Sequence, residues 1–404
     1  MNLFRFRPIM VIFLIVALIT ACDVHQTIMP TMPTPLPTIA VHAGSPTPPS
    51  VQMIFTETPS PTVDLKESEQ VDAVFKQFIS RNSPGGAVIV IHEGRILYEA
   101  GYGLADLKNK IPITPQHIFH LASTGKHFTA VAVVMLAEQG KLNINDPIGK
   151  YIPELERFGE KVTILRLLQH TSGIPDYFDN NEELLKKLYE RAERPTNDDV
   201  IAVLSEFGDL LFEPGEIRSY SNTGYEMLGS LIERVSGQSY TRFLEENIFA
   251  SLGMVHTFSV PDPARMADPN ITISYTRGED GTIEAYEVDP LENLVGSGSV
   301  YSTVEDMYLY DQAMYTDKLV KQSDLAEVLK PPVLNNGQEA SQGGAWRLGS
   351  SEFMGYSGHW LGFVSIYARD TNQQFSIMAF FNRDYGLPNL GNTMIRIANF
   401  FNYQ

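Results

Sequence analysis

Strand-like patterning lies near both ends of this chain and helical patterning fills the middle, a distribution few folds accommodate. Toward the front, residues 87–92 and 95–102 are rich in β-branched and aromatic side chains and meet at Glu93-Gly94, a two-residue hairpin signal. Toward the back, 344–348, 363–368 and 375–381 repeat the pattern. Between them, apolar residues recur at helical spacing in 182–193, 198–207, 225–236 and 240–252. Helices are also expected over 68–79, ended by Ser83-Pro84-Gly85-Gly86, and over 389–401. Strands confined to two ends must be brought together to bury their apolar faces. The expected fold is an α+β sandwich: one antiparallel sheet formed from the N- and C-terminal segments and flanked by helices. A mainly helical lobe is inserted at about residues 140–290. With 43% hydrophobic residues in 404, the chain can bury a large core.

Before residue 65 the composition changes. Arg5 and Arg7 precede an apolar run at 9–20 that is too short to span a bilayer, so residues 1–21 are expected to be an export signal. Ile19-Thr20-Ala21-Cys22 resembles a bacterial lipobox, in which the cysteine is lipidated and becomes the new N-terminus. Cys22 is the single cysteine of the chain, which leaves no partner for an internal disulfide. Residues 22–64 are rich in Pro and Thr, a composition that stays extended and serves as a tether. The expectation is an exported cell-envelope lipoprotein, held on the extracytoplasmic face of a bacterial membrane through Cys22, with the folded domain at 65–404. A net charge of −18 argues against nucleic acid as a partner.

Chemistry concentrates first at Phe119-His120-Leu121-Ala122-Ser123-Thr124-Gly125-Lys126. The apolar run that follows, closed by Gly140, places Ser123 in the first turn of a helix, and residues three apart share a helix face. The Lys126 amine can then reach the Ser123 hydroxyl and serve as its base, while N–H groups at the helix start face a developing oxyanion. The pair alone is common in chains of this length. A second stretch, Tyr220-Ser221-Asn222, puts a phenol that can relay protons beside an amide that can orient the lysine and a substrate carbonyl; Asn222 could equally cap a helix starting near Tyr225. The third, Gly355-Tyr356-Ser357-Gly358-His359-Trp360, is a glycine-rich approach to a strand, where a backbone N–H can complete an oxyanion hole.

In this order the three stretches resemble the signatures of the serine β-lactamase and penicillin-binding-protein superfamily, in its class C β-lactamase-like branch, from about residue 66 to the C-terminus. Pro84-Gly85-Gly86-Ala87-Val88, Leu167-Leu168-Gln169-His170-Thr171-Ser172-Gly173, Phe212-Glu213-Pro214-Gly215 and 296–303 match that branch as well. The resemblance implies a β-lactamase/transpeptidase-like fold. It further implies Ser123 as the acylated nucleophile, Lys126 as its base, Tyr220 as proton relay and Asn222 as a ligand of substrate and lysine. Tyr356, Ser357 and Gly358 would orient substrate, and the backbone N–H groups of Ser123 and His359 would hold the oxyanion. The family pattern has Lys or His where this chain has Tyr356, so recognition of a substrate carboxylate is not expected to follow the family.

Other groups carry less. His117, His120 and His127 lack the accompanying zinc-binding pattern, so no metal and no cofactor is expected. His170 reads as turn-stabilising, and Trp346 and Trp360 as cleft-lining or core residues. The expected activity is hydrolysis of an ester or small amide by a serine hydrolase. The alternatives are a class C-like β-lactamase or D-alanyl-D-alanine carboxypeptidase, and a non-hydrolytic binding protein or penicillin sensor. The partner is a small-molecule or peptide acyl donor.

Overall fold

The computed structural model describes residues 65–401 apart from 179–180, 208, 260–264, 287–288, 341–345 and 348–353; of Trp346 and Arg347 it describes the backbone. The predicted leader, Cys22 and the tether lie outside the described residues. Six strands form the central sheet: β1 (Gly86–His92), β2 (Arg95–Tyr102), β3 (Trp346–Arg347), β4 (Met354–Trp360), β5 (Phe363–Asp370) and β6 (Phe375–Phe381). Their order is β3-β4-β5-β6-β1-β2, and every neighbouring pair is antiparallel. The two ends of the sequence therefore meet inside the sheet, where β1 pairs with β6 from Gly86↔Phe381 to His92↔Phe375. The β1–β2 turn is the two-residue one expected, with Glu93 at φ 48° and Gly94 at φ 74°, the left-handed pair that suits the twist of a hairpin.

Both faces of the sheet are covered. Along β1, Val88 and Val90 pack outward with Val71 and Phe75 of the Leu65–Lys76 helix and Ile397 of the Leu390–Phe400 helix. Ala87, Ile89 and Ile91 face the other way, into the main core with Phe128, Val131 and Phe380. Period-two alternation assigns each residue its layer, and each fully buried Val or Ile contributes about 1.5–3 kcal/mol. The Lys126–Glu138 helix runs through the main core, buried along most of its length.

Some boundaries differ from expectation. The helix expected from Tyr225 starts at Asn222, because Ser221 caps it: the Ser221 Oγ accepts the Gly224 N–H at 3.0 Å. The glycine-rich stretch expected to precede a strand is itself a strand, β4, paired residue by residue with β5 from Met354↔Arg369 to Trp360↔Phe363. Its glycines weaken intrinsic strand preference, yet the pairing and a close backbone neighbour hold it. Ser123 lies in a short 3-10 turn, Ala122–Gly125, that leads directly into the Lys126 helix. The mid-chain lobe is mostly helical, and it contributes Phe258–Ser259 to a small sheet in which Val300–Ser302 is central and Phe119–His120 is the other edge.

Candidate active site

Ala122, the residue before Ser123, adopts φ 48°, a left-handed conformation that costs a non-glycine residue of order 1–3 kcal/mol and persists where the surroundings fix it. The bend turns Ser123 toward a cleft of about 350 Å³. Two groups converge on the Ser123 Oγ. The Lys126 Nζ donates to it at 3.2 Å and the Tyr220 hydroxyl at 2.7 Å. Lys126 also donates to the Asn222 Oδ1 at 2.8 Å and to the Ser297 carbonyl oxygen, so all three ammonium hydrogens are engaged. The Asn222 Oδ1 lies 3.3 Å from the Tyr220 hydroxyl and so links phenol and ammonium. The ammonium also stands over the Tyr220 and Tyr225 rings, 4.9 and 5.6 Å from their centroids, a favourable placement for a partly desolvated cation.

The supports of this cluster come from the lobe. Asp176 accepts the Asn222 and Thr223 N–H groups at the start of the Asn222–Ser236 helix, which fixes the direction in which Asn222 leaves the backbone. His170, buried and at φ 58°, accepts the Ser221 N–H on Nδ1 at 3.2 Å and lays its ring against Tyr220, with centroids 4.6 Å apart. It therefore holds the turn that carries Tyr220 and Asn222. Behind Ser297, Glu226 is fully buried. One of its oxygens accepts from Tyr177 and from the Ser297 Oγ at 3.0 Å, and Oε2 has no partner among the described residues. Burial, with the charge of Asp176 adding to it, pushes the Glu226 carboxyl up to about 8 despite the opposing Tyr177, Ser297 and Lys126 contacts.

β4 closes the other side of the site. A Cβ built on Gly358 would meet the Leu121 carbonyl oxygen at 2.3 Å and the Ser123 nitrogen at 2.7 Å, so only glycine lets the strand lie this close. Leu361 and Gly362, both left-handed, make a two-residue turn into β5, and Trp360↔Phe363 is the closing pair. Bonded and non-bonded pairs alternate along such a ladder, so the His359 N–H points away from β5, on the side of Ser123. The backbone N–H groups of Ser123 and His359 thus belong to facing segments at the cleft, with Gly358 lying against the Ser123 nitrogen.

Of the residues singled out in the sequence, Ser123, Tyr220, Asn222, Ser357 and the His359 side chain line the cleft, with the Lys126 Nζ directly behind Ser123. Tyr356 is placed differently. It has the opposite parity on β4 from Ser357, and its 5%-exposed ring lies in the core against His127, at 4.5 Å, and Tyr367, at 6.0 Å. It is not a wall of the cleft, so its orienting role, where it has one, acts through packing. The His359 ring is two-thirds exposed at the cleft mouth, with Nε2 3.6 Å from the Asp384 Oδ2. The three histidines weighed as metal ligands face separate neighbours: His117 meets Thr114, His127 meets Tyr310, and His120 meets Glu292. Sequence reasoning missed the Ser297 carbonyl, Glu226, Asp176 and Glu292. A backbone carbonyl carries no residue-type signal, and the three carboxylates sit in segments that read as ordinary loop or helix.

Fold and cluster together define a class: serine hydrolases in which a lysine one helical turn on activates the nucleophile. The comparisons narrow it. The model of the Beta-lactamase family matches residues 71–399, most of the chain, and the chain belongs to that family of serine hydrolases. Penicillin-binding protein 4* of Bacillus subtilis (strain 168) is 30% identical over 337 residues, covering 78% of this chain and 72% of the relative. The D-amino acid amidase from Ochrobactrum anthropi SV3, solved with L-phenylalanine amide, is 25% identical with a TM-score of 0.68, covering 83% of this chain and 99% of that one. The octameric penicillin-binding protein homologue from Pyrococcus abyssi shares the fold with a TM-score of 0.70 at 24% identity, over 84% of this chain and 77% of its own.

Proposed function

We propose that this serine hydrolase cleaves an ester or small amide through an acyl-enzyme on Ser123. The observation that carries the reading is the convergence of Lys126 and Tyr220 on one hydroxyl, at 3.2 and 2.7 Å. As the Ser123 Oγ attacks the acyl carbon, its proton passes to the Lys126–Tyr220 pair in the form that has given up one proton, as a neutral amine or a phenolate, and from there to the leaving group as the bond to that group breaks. Asn222 keeps that pair in register, and the Ser123 and His359 N–H groups take the negative charge of the tetrahedral intermediate. Water then repeats the cycle on the acyl-enzyme, with the same pair as base.

Substrate choice follows from the walls. Tyr177, Phe178, Trp360, Leu291 and Leu294 make one side of the cleft apolar, and the Phe178 and Trp360 rings approach to 5.5 Å at its edge. The position that carries a cation in the family holds Tyr356, turned into the core. An apolar or aromatic acyl donor without an obligatory carboxylate fits this lining better than a cell-wall peptide end. The names of the relatives keep β-lactams and D-amino acid amides as the donors to compare. Binding without turnover is the remaining reading, and it has no support from a site with every reacting group in place.

Intact-mass detection of acylation on the full chain tests the proposal, with a p-nitrophenyl ester, nitrocefin and a fluorophosphonate in parallel and Ser123→Ala as control. Labelling at Ser123 with ester turnover and little nitrocefin hydrolysis is expected. A lasting adduct from nitrocefin points instead to a peptidase or sensor, and no label from any of the three defeats the acyl-enzyme proposal.

The same proposal places the enzyme on the extracytoplasmic face of a bacterial membrane, anchored through Cys22 at the end of the 22–64 tether. Its support is the basic-then-apolar leader and the single cysteine that directly follows it. Loss of membrane association and of a lipid-sized mass increment in Cys22→Ser is the expected result.

A further inference from the structure

Glu292 lines the cleft yet takes no part in the chemistry described above. Only 5% exposed, it carries a carboxylate at a depth where an ionised group persists only with good partners. It has three. The Trp360 Nε1 donates to Oε1 at 2.6 Å, the His120 Nε2 lies 3.5 Å from Oε2, and the Tyr301 hydroxyl donates to Oε2 at 3.4 Å. Burial alone would raise its pKa, and the contacts from His120, Trp360 and Tyr301 oppose that.

What these partners do next is the point. The His120 Nδ1 accepts the Ala122 N–H at 2.9 Å, so the ring bears its hydrogen on Nε2, directed at Glu292. Ala122 is the left-handed residue immediately before Ser123. Trp360 immediately follows His359 on β4. One carboxylate therefore connects the segment that presents the Ser123 N–H to the segment that presents the His359 N–H. Between those segments a strained residue and a cleft wall have to be kept in place.

We propose that Glu292 is a positioning residue for the oxyanion hole: through His120 on one side and Trp360 on the other, it sets the separation of the two N–H donors. This rests on the acyl-enzyme reading of Ser123. In Glu292→Gln one half of the side chain becomes a donor facing a donor, so one of the two ties is lost while volume is kept. Trp360→Phe keeps an aromatic ring while removing the N–H together with part of the indole surface. Loss of an oxyanion-hole donor costs about 100- to 1000-fold in kcat, which sets the upper range for loosening one.

The test measures kcat and KM for a p-nitrophenyl ester together with the inhibition constant of an arylboronic acid, whose tetrahedral adduct occupies the oxyanion position. Expected for Glu292→Gln is a fall in kcat of about 10- to 100-fold, KM within about threefold, and weakening of the boronate by the same factor as kcat/KM. Trp360→Phe should move the same quantities in the same direction by a smaller factor, and it decides the question where Glu292→Gln fails to fold. Unchanged kcat and boronate affinity overturn the proposal, as does a rise in KM alone, which makes Glu292 a binding group. Wild-type protein that neither labels at Ser123 nor turns over ester overturns the acyl-enzyme reading and this proposal with it.

Discussion

Gly358 stands directly against the amide nitrogen of Ser123, close enough that a single added methyl would lie 2.7 Å from it. The helix that starts at the nucleophile and the strand that faces it are thus in backbone contact, and neither can shift without the other. Alanine at 358 must push β4 off the Leu121 carbonyl oxygen, which takes the His359 N–H with it.

Gly358→Ala is therefore expected to lower ester kcat/KM by at least about 100-fold, the scale of losing one oxyanion donor, and to destabilise by about 1–3 kcal/mol through overpacking. Steady-state kinetics and thermal unfolding on the same preparation check both. Activity within about threefold of wild type would show that the contact relaxes without cost to the site.

Tyr220→Phe removes one hydroxyl from Ser123 and keeps the ring against His170. A fall in kcat of about 100- to 10,000-fold is expected with little change in melting temperature, since general acid–base contributions lie in that range. Pre-steady-state acylation, followed by mass, separates a slow first step from slow release of the acyl group.

How much of this was legible in the sequence depends on what each inference required. The near-continuous apolar, β-branched and aromatic runs at 87–91 and 375–381 marked the central strands because both faces of the sheet are buried there. The Ser123–Lys126 spacing pointed to a shared face because three residues make nearly one helical turn. Tyr356 was harder to place: its direction depends on the parity of β4, and a stretch with Gly355 and Gly358 reads as a turn until its pairing with β5 is known. The His120–Glu292–Trp360 connection joins residues from three distant segments, and only the tertiary fold brings them together.

Tyr356 now carries a stability prediction. Its ring fills space between His127 and Tyr367, so Tyr356→Ala should cost about 3–5 kcal/mol, as large-to-small aromatic changes in cores do. Tyr356→Phe should keep ester turnover within about threefold, because the hydroxyl does not face the cleft. Tyr356→Lys buries an ammonium beneath the sheet and should lower the melting temperature without creating penicillin hydrolysis. Denaturant unfolding and nitrocefin assays on the three variants decide it.

Glu226 gives a pH signature. Its folded carboxyl titrates near 8, above its ordinary value of 4.5, so between those pH values the folded state holds a proton that the unfolded chain has lost. Stability from this group is fully present below about 4.5 and declines as pH rises toward about 8. Glu226→Gln mimics the protonated form, so its melting temperature relative to wild type should rise from pH 5 to about pH 8 and level off above that. A difference independent of pH would mean that Glu226 titrates normally.

The pairing of β1 with β6 has a consequence in time as well as space. Gly86 and Phe381 are partners although they lie 295 positions apart in the chain, and the strand between β2 and β6 cannot find its second neighbour until almost the whole polypeptide is present. Closing so long a loop makes the sheet a late, slow event in folding. A ribosome releasing the chain from its N-terminus exposes the 86–92 edge for most of that interval. Deletion of the last thirty residues would leave this edge permanently bare, making premature termination a route to aggregation rather than to a smaller enzyme.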